Sequence, residues 1–474
     1  MSGITSSHLA FPILETAVAM PASSLSRSYG MPAASAYTTK RATFLDYFRG
    51  ASLVAWLVVM LFGFWFQSQW FSRFEEDTQD RMFQFFQIGF AIMLAGHITL
   101  GVGPLLGNPF LIPTATDLRA ALFGTFFLLM LVLSPMSLTP GRSALYAAAT
   151  WATMCLCSVI WINNYDVTRR MLGWAGLLMI GFLVVLIFTH GYNFGAVGGI
   201  PRNRYAGAAF TGMVYLTLWK GKLKWLPIVV GAGLIILVNS RGALVGMGLA
   251  CVVYVFLVKG FNKTLFYGVV GLLAIFILDL IPVAGKESGM ITRQIFRVNA
   301  ADRGVESGLT GRTNLWAGGI ERFSRRPVFG YGFRSRVNQS EDTMGSHSGF
   351  IDLLQDAGLV GGALVFTALF LDLLRRIQTI YKLRKAFDAK TSPTPIKEAI
   401  HINALTASIY FMNLFYLMIE PIYLNLGNPV TIMFFILICS PMLSPAAKAV
   451  MDAHRSFSAG AWGVQPRSLR FSGV

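Results

Sequence analysis

The stretch MLGWAGLLMIGFLVVLIFT, residues 171–189, decides what kind of protein this is. It contains no Asp, Glu, Lys or Arg, and it supplies the ~20 apolar residues that a helix needs to cross the hydrocarbon core of a bilayer. A helix on the surface of a soluble domain would carry a polar stripe at helical spacing. Runs of the same kind recur on both sides of it. We expect spans at 50–67, 82–101, 118–135, 143–162, 171–189, 205–219, 223–239, 242–258, 264–282, 349–374, 400–419 and 428–444. The expected fold is therefore all-α, a polytopic membrane bundle of twelve helices. Composition points the same way: the 474 residues are 54% hydrophobic and only 13% charged, against about 25% charged in a soluble domain. An ordinary cytosolic enzyme is excluded.

Charge orients the bundle. Lys220, Lys222 and Lys224 share one short connection, Lys259 and Lys263 another, and Arg169 and Arg170 a third, while seven bases lie between Arg375 and Lys397. With twelve spans these four connections fall on the same side as both termini. By the excess of bases in cytoplasmic loops, that side is the cytoplasm. Residues 1–45 and 446–474 are then cytoplasmic tails, the first rich in Ser, Ala and Pro and expected to be disordered, the second similar in character. Residues 46–445 form the membrane domain. The net charge of +17 would raise nucleic acid as a partner in a soluble chain; here topology sorts the bases, and membrane lipids are the expected surroundings instead. Cys155, Cys157, Cys251 and Cys439 all lie in apolar runs and read as small packing residues.

Sixteen Lys and Arg fall on the outer side, and all but Lys286 are Arg. Topology alone does not demand Arg over Lys. A planar guanidinium fork binds phosphate oxygens in pairs, which a point-charge ammonium does less well, so the bias suggests a phosphate-bearing ligand. Several inward-running helices begin with these arginines: Arg81, Arg142, Arg204 and Arg241. A cation at a helix N-terminus is unfavourable by ~0.3–1 kcal/mol. An anion reverses the sign, because backbone N–H groups and guanidinium then converge on it. Around Arg241, Asn239-Ser240-Arg241-Gly242 reads as a tight turn with Ser240 as N-cap. Gly242 and Gly246 form a small-xxx-small pair suited to helix packing.

One outer connection, Val283 to Ser346, is large, and an ordered loop of that size is usually functional. Within it Thr310 to Phe323 reads as an amphipathic helix capped by Thr310, with Leu315, Trp316, Gly319, Ile320 and Phe323 as its apolar stripe. Arg312 lies in its first turn. Arg325-Arg326-Pro327 ends it, and Gly330-Tyr331-Gly332 makes a turn. The segment closes with Gly345-Ser346-His347-Ser348-Gly349 at the start of the tenth span. There the helix dipole favours neutral imidazole, making His347 a candidate base at neutral pH. Asp352 and Asp356 follow it by about 140° and 180° around a helix and are expected to face elsewhere. No acidic cluster suggests a divalent metal; Glu75-Glu76-Asp77, beside Arg73 and Arg81, reads as a solvated run. No cofactor is expected.

Four stretches carry a resemblance. Asn-Ser-Arg-Gly-Ala (239–243), Gly-Arg-Thr-Asn-Leu-Trp (311–316), Pro-Val-Phe-Gly-Tyr-Gly (327–332) and His-Ser-Gly-Phe-Ile-Asp-Leu-Leu-Gln-Asp-Ala-Gly-Leu-Val-Gly (347–361) resemble, in order and spacing, the O-antigen ligase/polymerase superfamily. The family often has His-Asn where this chain has His347-Ser348. The resemblance implies a metal-independent glycosyltransferase. Its donor would be an undecaprenyl-pyrophosphate-linked glycan, and its acceptor a hydroxyl on lipid A–core or on a second lipid-linked glycan at the periplasmic face. Arg241 and Arg312 would bind pyrophosphate, with Arg204 and Arg142 as further candidates, and His347 would serve the acceptor. A ligase is the preferred reading and an O-antigen or exopolysaccharide polymerase the alternative. A transporter or flippase is the reading from another class; its usual midplane carboxylates are not evident among Asp279, Asp352, Asp356, Asp372 and Glu420.

Overall fold

The computed structural model describes residues 43–70, 117–163, 165–193, 196–197, 200–238, 240–280, 312–334, 348–387, 392–420 and 428–461, with single positions (89, 92, 93, 96, 346, 424 and 426) besides. Residues 1–42, nearly all of the expected span at 82–101, Arg81, Glu75 to Asp77, Asn239, Thr310 and His347 lie outside them. So does most of the large connection.

Among the described residues there are thirteen α-helices. The first seven are α1 (Phe44–Trp70), α2 (Leu118–Val132), α3 (Pro140–Asn163), α4 (Tyr165–His190), α5 (Arg202–Thr217), α6 (Trp225–Leu237) and α7 (Arg241–Lys259). The rest are α8 (Phe261–Leu280), α9 (Arg312–Arg325), α10 (Gly349–Ala386), α11 (Thr394–Ile419), α12 (Pro429–Ile438) and α13 (Pro445–Ala461). Helices thus occupy eleven of the twelve expected stretches. Five of them, α3, α4, α7, α10 and α11, are long and apolar enough to cross a membrane. Between α4 and α5 the chain forms three two-residue antiparallel strands, β1 (Tyr192–Asn193), β2 (Ala196–Val197) and β3 (Ile200–Pro201).

Small residues set the helix spacing. A Cβ on Gly176 of α4 would sit 2.5 Å from the Gly212 carbonyl of α5, so these two backbones nearly touch. A Cβ on Gly246 of α7 would sit 2.9 Å from the Tyr416 ring of α11. That glycine packs helices, as its spacing predicted. Large side chains fill the remaining interior: Trp56, Trp161, Tyr205, Tyr215, Phe123 and Phe126 are fully buried.

Two endings depart from the sequence reading. The stretch expected to span at 428–444 stops being helical at Ile438. Ten residues at 1.5 Å each reach only about 15 Å. The helix ends inside the bundle because two buried arginines take up its last carbonyls. Arg376 of α10 donates to Leu437, Ile438 and Ser440 at 3.2, 2.9 and 3.0 Å, and Arg119 of α2 donates to Ile438 at 2.7 Å. Asp372 sits between the two guanidinium groups, 2.6 Å from Arg119 and 2.7 Å from Arg376, and accepts from the Tyr410 hydroxyl at 2.7 Å. Much of the expected C-terminal tail is also helical. Ser444 accepts from the Ala447 N–H at 3.2 Å and Pro445 follows it, an N-terminal signature that starts α13. Ala447 and Met451 then pack with Leu383, Ile396 and Ala399 in a small second core.

The helix directions sort the molecule into two ends. At one, α3, α5, α7 and α10 begin and α2, α4 and α11 finish. At the other, Arg169 of α4 donates to the Leu218 carbonyl and pairs with Glu398 at 2.6 Å, and Lys220 reaches the same carboxylate at 2.8 Å. Arg169 and Lys220, two of the bases assigned to one side by charge, therefore meet on one carboxylate at the end opposite Arg142, Arg204 and Arg241.

Candidate functional site at the arginine end

The framework of the site is a broken helix. Within α10, Gly358 leaves the helical conformation, at φ 64° and ψ −169°, a region open essentially to glycine alone. The break exposes backbone groups on both of its sides, and the 327–332 loop satisfies them. Tyr331 and Gly332 donate their N–H groups to the carbonyls of Gln355 and Asp356 at 2.8 and 2.9 Å. In return the carbonyls of Pro327 and Val328 accept from the N–H groups of Leu359 and Val360 at 2.8 and 3.2 Å. Away from water such groups must find partners in the protein, so the loop and the break specify each other. The same loop holds the α2–α3 connection, whose Leu138 N–H donates to the Tyr331 carbonyl at 3.2 Å. A groove of about 550 Å³ lies between them, lined by Met130, Leu133, Met136, Phe329 and Tyr331, with Arg326 among its walls.

The loop delivers Arg334. Its backbone adopts φ 54°, uncommon for a residue with a side chain, and its N–H donates to the buried Asp356 carboxylate at 3.2 Å. Arg334 thereby comes close enough to Arg204, at the start of α5, to act on its charge. Burial lowers the Arg204 pKa most; the Glu420 carboxylate opposes that shift, and Arg334 adds to it.

One amide ties the surrounding helix ends together. Asn203, in the first turn of α5, accepts from the Ser240 hydroxyl at 3.0 Å and donates to Glu420 Oε1 at 2.7 Å. Ser240 is the residue before α7, and Glu420 is the residue after α11. Ser240 does occupy the N-cap position, but its hydroxyl makes no capping bond to α7. Asn203 has taken it instead. Arg241 opens α7 immediately beyond this bond.

The sequence-predicted residues distribute as follows. Arg204 and Arg241 start helices joined through Asn203 and Ser240. Arg312 opens α9, and Gly319 one face further along packs so tightly on Ile351 that a Cβ there would lie 2.6 Å from that side chain. Ile320, placed in the same stripe, is exposed instead. Arg142 opens α3 at this end with its guanidinium over the Tyr146 ring, 5.7 Å from the centroid. His347 lies outside the described residues, but both neighbours are anchored. Ser346 donates to Asp352 at 2.6 Å, and Ser348 donates to the Leu417 carbonyl, one turn before Glu420, at 3.2 Å. Asp352 thus does not face away from this motif. Residues 346 and 348 are not helical, so an angle counted around a helix from 347 does not apply, and the carboxylate turns back to hold the entering chain.

Arg334 and Asn203 escaped the sequence reading, and Glu420 entered it only among the carboxylates weighed for a transporter. Pro201-Arg202-Asn203-Arg204 carried a signal, a polar amide between two bases at a helix start. Arg334 and Glu420 carried none beyond their charge. Among the described residues no group of His, Cys, Asp or Glu is arranged to hold a metal ion.

The family model described as O-Antigen ligase matches residues 226–366. That span runs from α6 into α10 and so contains Arg241, Arg312, the 327–332 loop and the break at Gly358, while Asn203, Arg204 and Glu420 lie outside it. No curated protein matches the chain. Over that stretch the chain is similar to the O-antigen ligase family, and five of its helices among the described residues are long and apolar enough to cross a membrane.

Proposed function

We propose that the protein transfers a glycan from undecaprenyl pyrophosphate to an acceptor hydroxyl at the periplasmic face of the inner membrane, as a ligase acting on lipid A–core. The supporting observation is the gathering of arginines where helices begin: Arg204 and Arg241 on two joined helix starts, with Arg334 brought in beside Arg204 by the broken helix. Arg312 and Arg142 open two further helices at that end. Departure of pyrophosphate places negative charge on its leaving oxygen, and fixed guanidinium groups in a water-poor site stabilise that charge as it develops. The acceptor oxygen forms its bond to the anomeric carbon as the bond to pyrophosphate breaks, and His347 takes the hydroxyl proton. Direct displacement inverts the anomeric centre.

The test is a purified enzyme given an undecaprenyl-pyrophosphate glycan with either lipid A–core or a second lipid-linked unit. Glycan on lipid A–core supports the ligase. Extension of the lipid-linked unit alone makes the protein a polymerase, and no transfer to either refutes the reading.

A further inference from the structure

We infer that Glu420 is the resident counter-ion of the arginine cluster and that the donor's diphosphate displaces it on binding. This rests on the pyrophosphate reading above and adds a residue outside the matched domain.

The position of Glu420 is not explained by the helix it ends. A carboxylate at a helix C-terminus faces the negative end of the dipole and is disfavoured. The residue also leaves the helix, at φ −139° and ψ 142°, the extended form expected before a proline. What retains it is the site. Asn203 donates to it at 2.7 Å, and its charge acts on Arg204, which Arg334 also approaches. Arg204 and Arg334 repel each other, and the Glu420 carboxylate offsets that repulsion at Arg204.

A carboxylate presents to a guanidinium the same pair of oxygens that a phosphate presents. The arrangement that accepts Glu420 therefore suits a diphosphate. Glu420 is half-buried and can turn toward solvent, which an anion arriving with two phosphates would make it do. The consequence is for turnover. A bare arginine pair would grip the departing lipid diphosphate as firmly as the donor. A carboxylate waiting to return weakens both, and so speeds release. Glu420 is in these terms a positioning residue.

The experiment measures inorganic pyrophosphate binding by calorimetry on the full chain in nanodiscs, alongside steady-state transfer. Removing one competing charge at this range is worth roughly tenfold in affinity. Glu420→Gln should bind pyrophosphate about that much tighter, with KM for the donor and kcat both falling, while Glu420→Asp stays near wild type. If Glu420→Gln does not fold, Asn203→Ala carries the test, because loosening the carboxylate should likewise tighten pyrophosphate binding. Unchanged or weaker binding in the variant that folds overturns the proposal. Should wild type bind pyrophosphate and Arg204→Gln fail to, the diphosphate reading survives that outcome. If wild type binds none, both fall together.

Discussion

Substituting Gly358 by alanine tests whether the broken helix supports the site. At φ 64° and ψ −169° a side chain costs of the order of 1–3 kcal/mol from backbone strain alone. The new Cβ would also overlap the Val328 carbonyl, which is backbone and cannot rotate aside. Either α10 straightens or the 327–332 loop lifts, and both sever some of the four backbone hydrogen bonds between them. At about 0.5–1.5 kcal/mol each, losing two and adding the strain gives a destabilisation of about 2–6 kcal/mol. Arg334 should move as well, since its N–H is fixed to Asp356 two residues before the break. We expect a large fall in the thermal midpoint of the purified protein in nanodiscs, and in the molecules still folded a raised KM for the lipid-linked donor. Gly268→Ala is the control, because a Cβ there meets nothing within 4 Å and alanine favours helix. If Gly358→Ala melts with wild type, the interlock contributes nothing. If stability falls while KM holds, the break is structural and does not place Arg334.

Three further outcomes are expected. Arg376→Ala should destabilise the bundle by roughly 3–5 kcal/mol, the cost of stranding a buried charge partner, measured by detergent-resistant unfolding; a wild-type midpoint would show that α12 does not depend on the clamp. Arg241→Ala and Arg312→Ala should each abolish glycan transfer while leaving membrane insertion intact, and retained transfer in either removes that residue from the site. EDTA should leave transfer by the purified enzyme unchanged, and inhibition relieved by a divalent cation would mean that metal, not guanidinium, neutralises the leaving group.

Helices were legible because the apolar runs are long and uninterrupted, as at 171–189. Their ends were not, because hydropathy cannot see what meets the last carbonyls. Residues 428–444 are apolar throughout, yet the helix stops at Ile438 on arginines from two distant helices. The amphipathic helix at 310–323 was found from its stripe, although Ile320 shows that periodicity alone did not say which half of the stripe packs. Within the site, Arg204 and Arg241 were legible as bases at helix starts. Arg334 was not: its importance comes from a left-handed backbone and from Asp356, a contact made across 22 residues of sequence. Motif order found the 327–332 loop, but the chemistry read into it was incomplete. Its backbone, rather than its side chains, is what completes the neighbouring helix.

Arginines stand at both ends of this bundle, and what neutralises them separates two roles. Arg376 is fully buried, and each of its three nitrogens donates to a protein oxygen: Asp372, Asn403, the Ser440 hydroxyl or the carbonyls that end α12. Nothing in that arrangement could leave without stranding charge in the interior, so it fixes structure. The same reasoning disposes of Asp372 as an ion-carrying acid of the kind transporters use, since two guanidinium groups and a tyrosine hydroxyl already hold it. At the other end, the charge of Arg204 is acted on by Arg334 and by the carboxylate of Glu420, a half-buried side chain just past the end of a helix. That anion can be exchanged without dismantling a helix. A phosphate ligand needs the second kind of arginine, and its exchangeable counter-ion is a stronger mark of the site than the number of arginines gathered there.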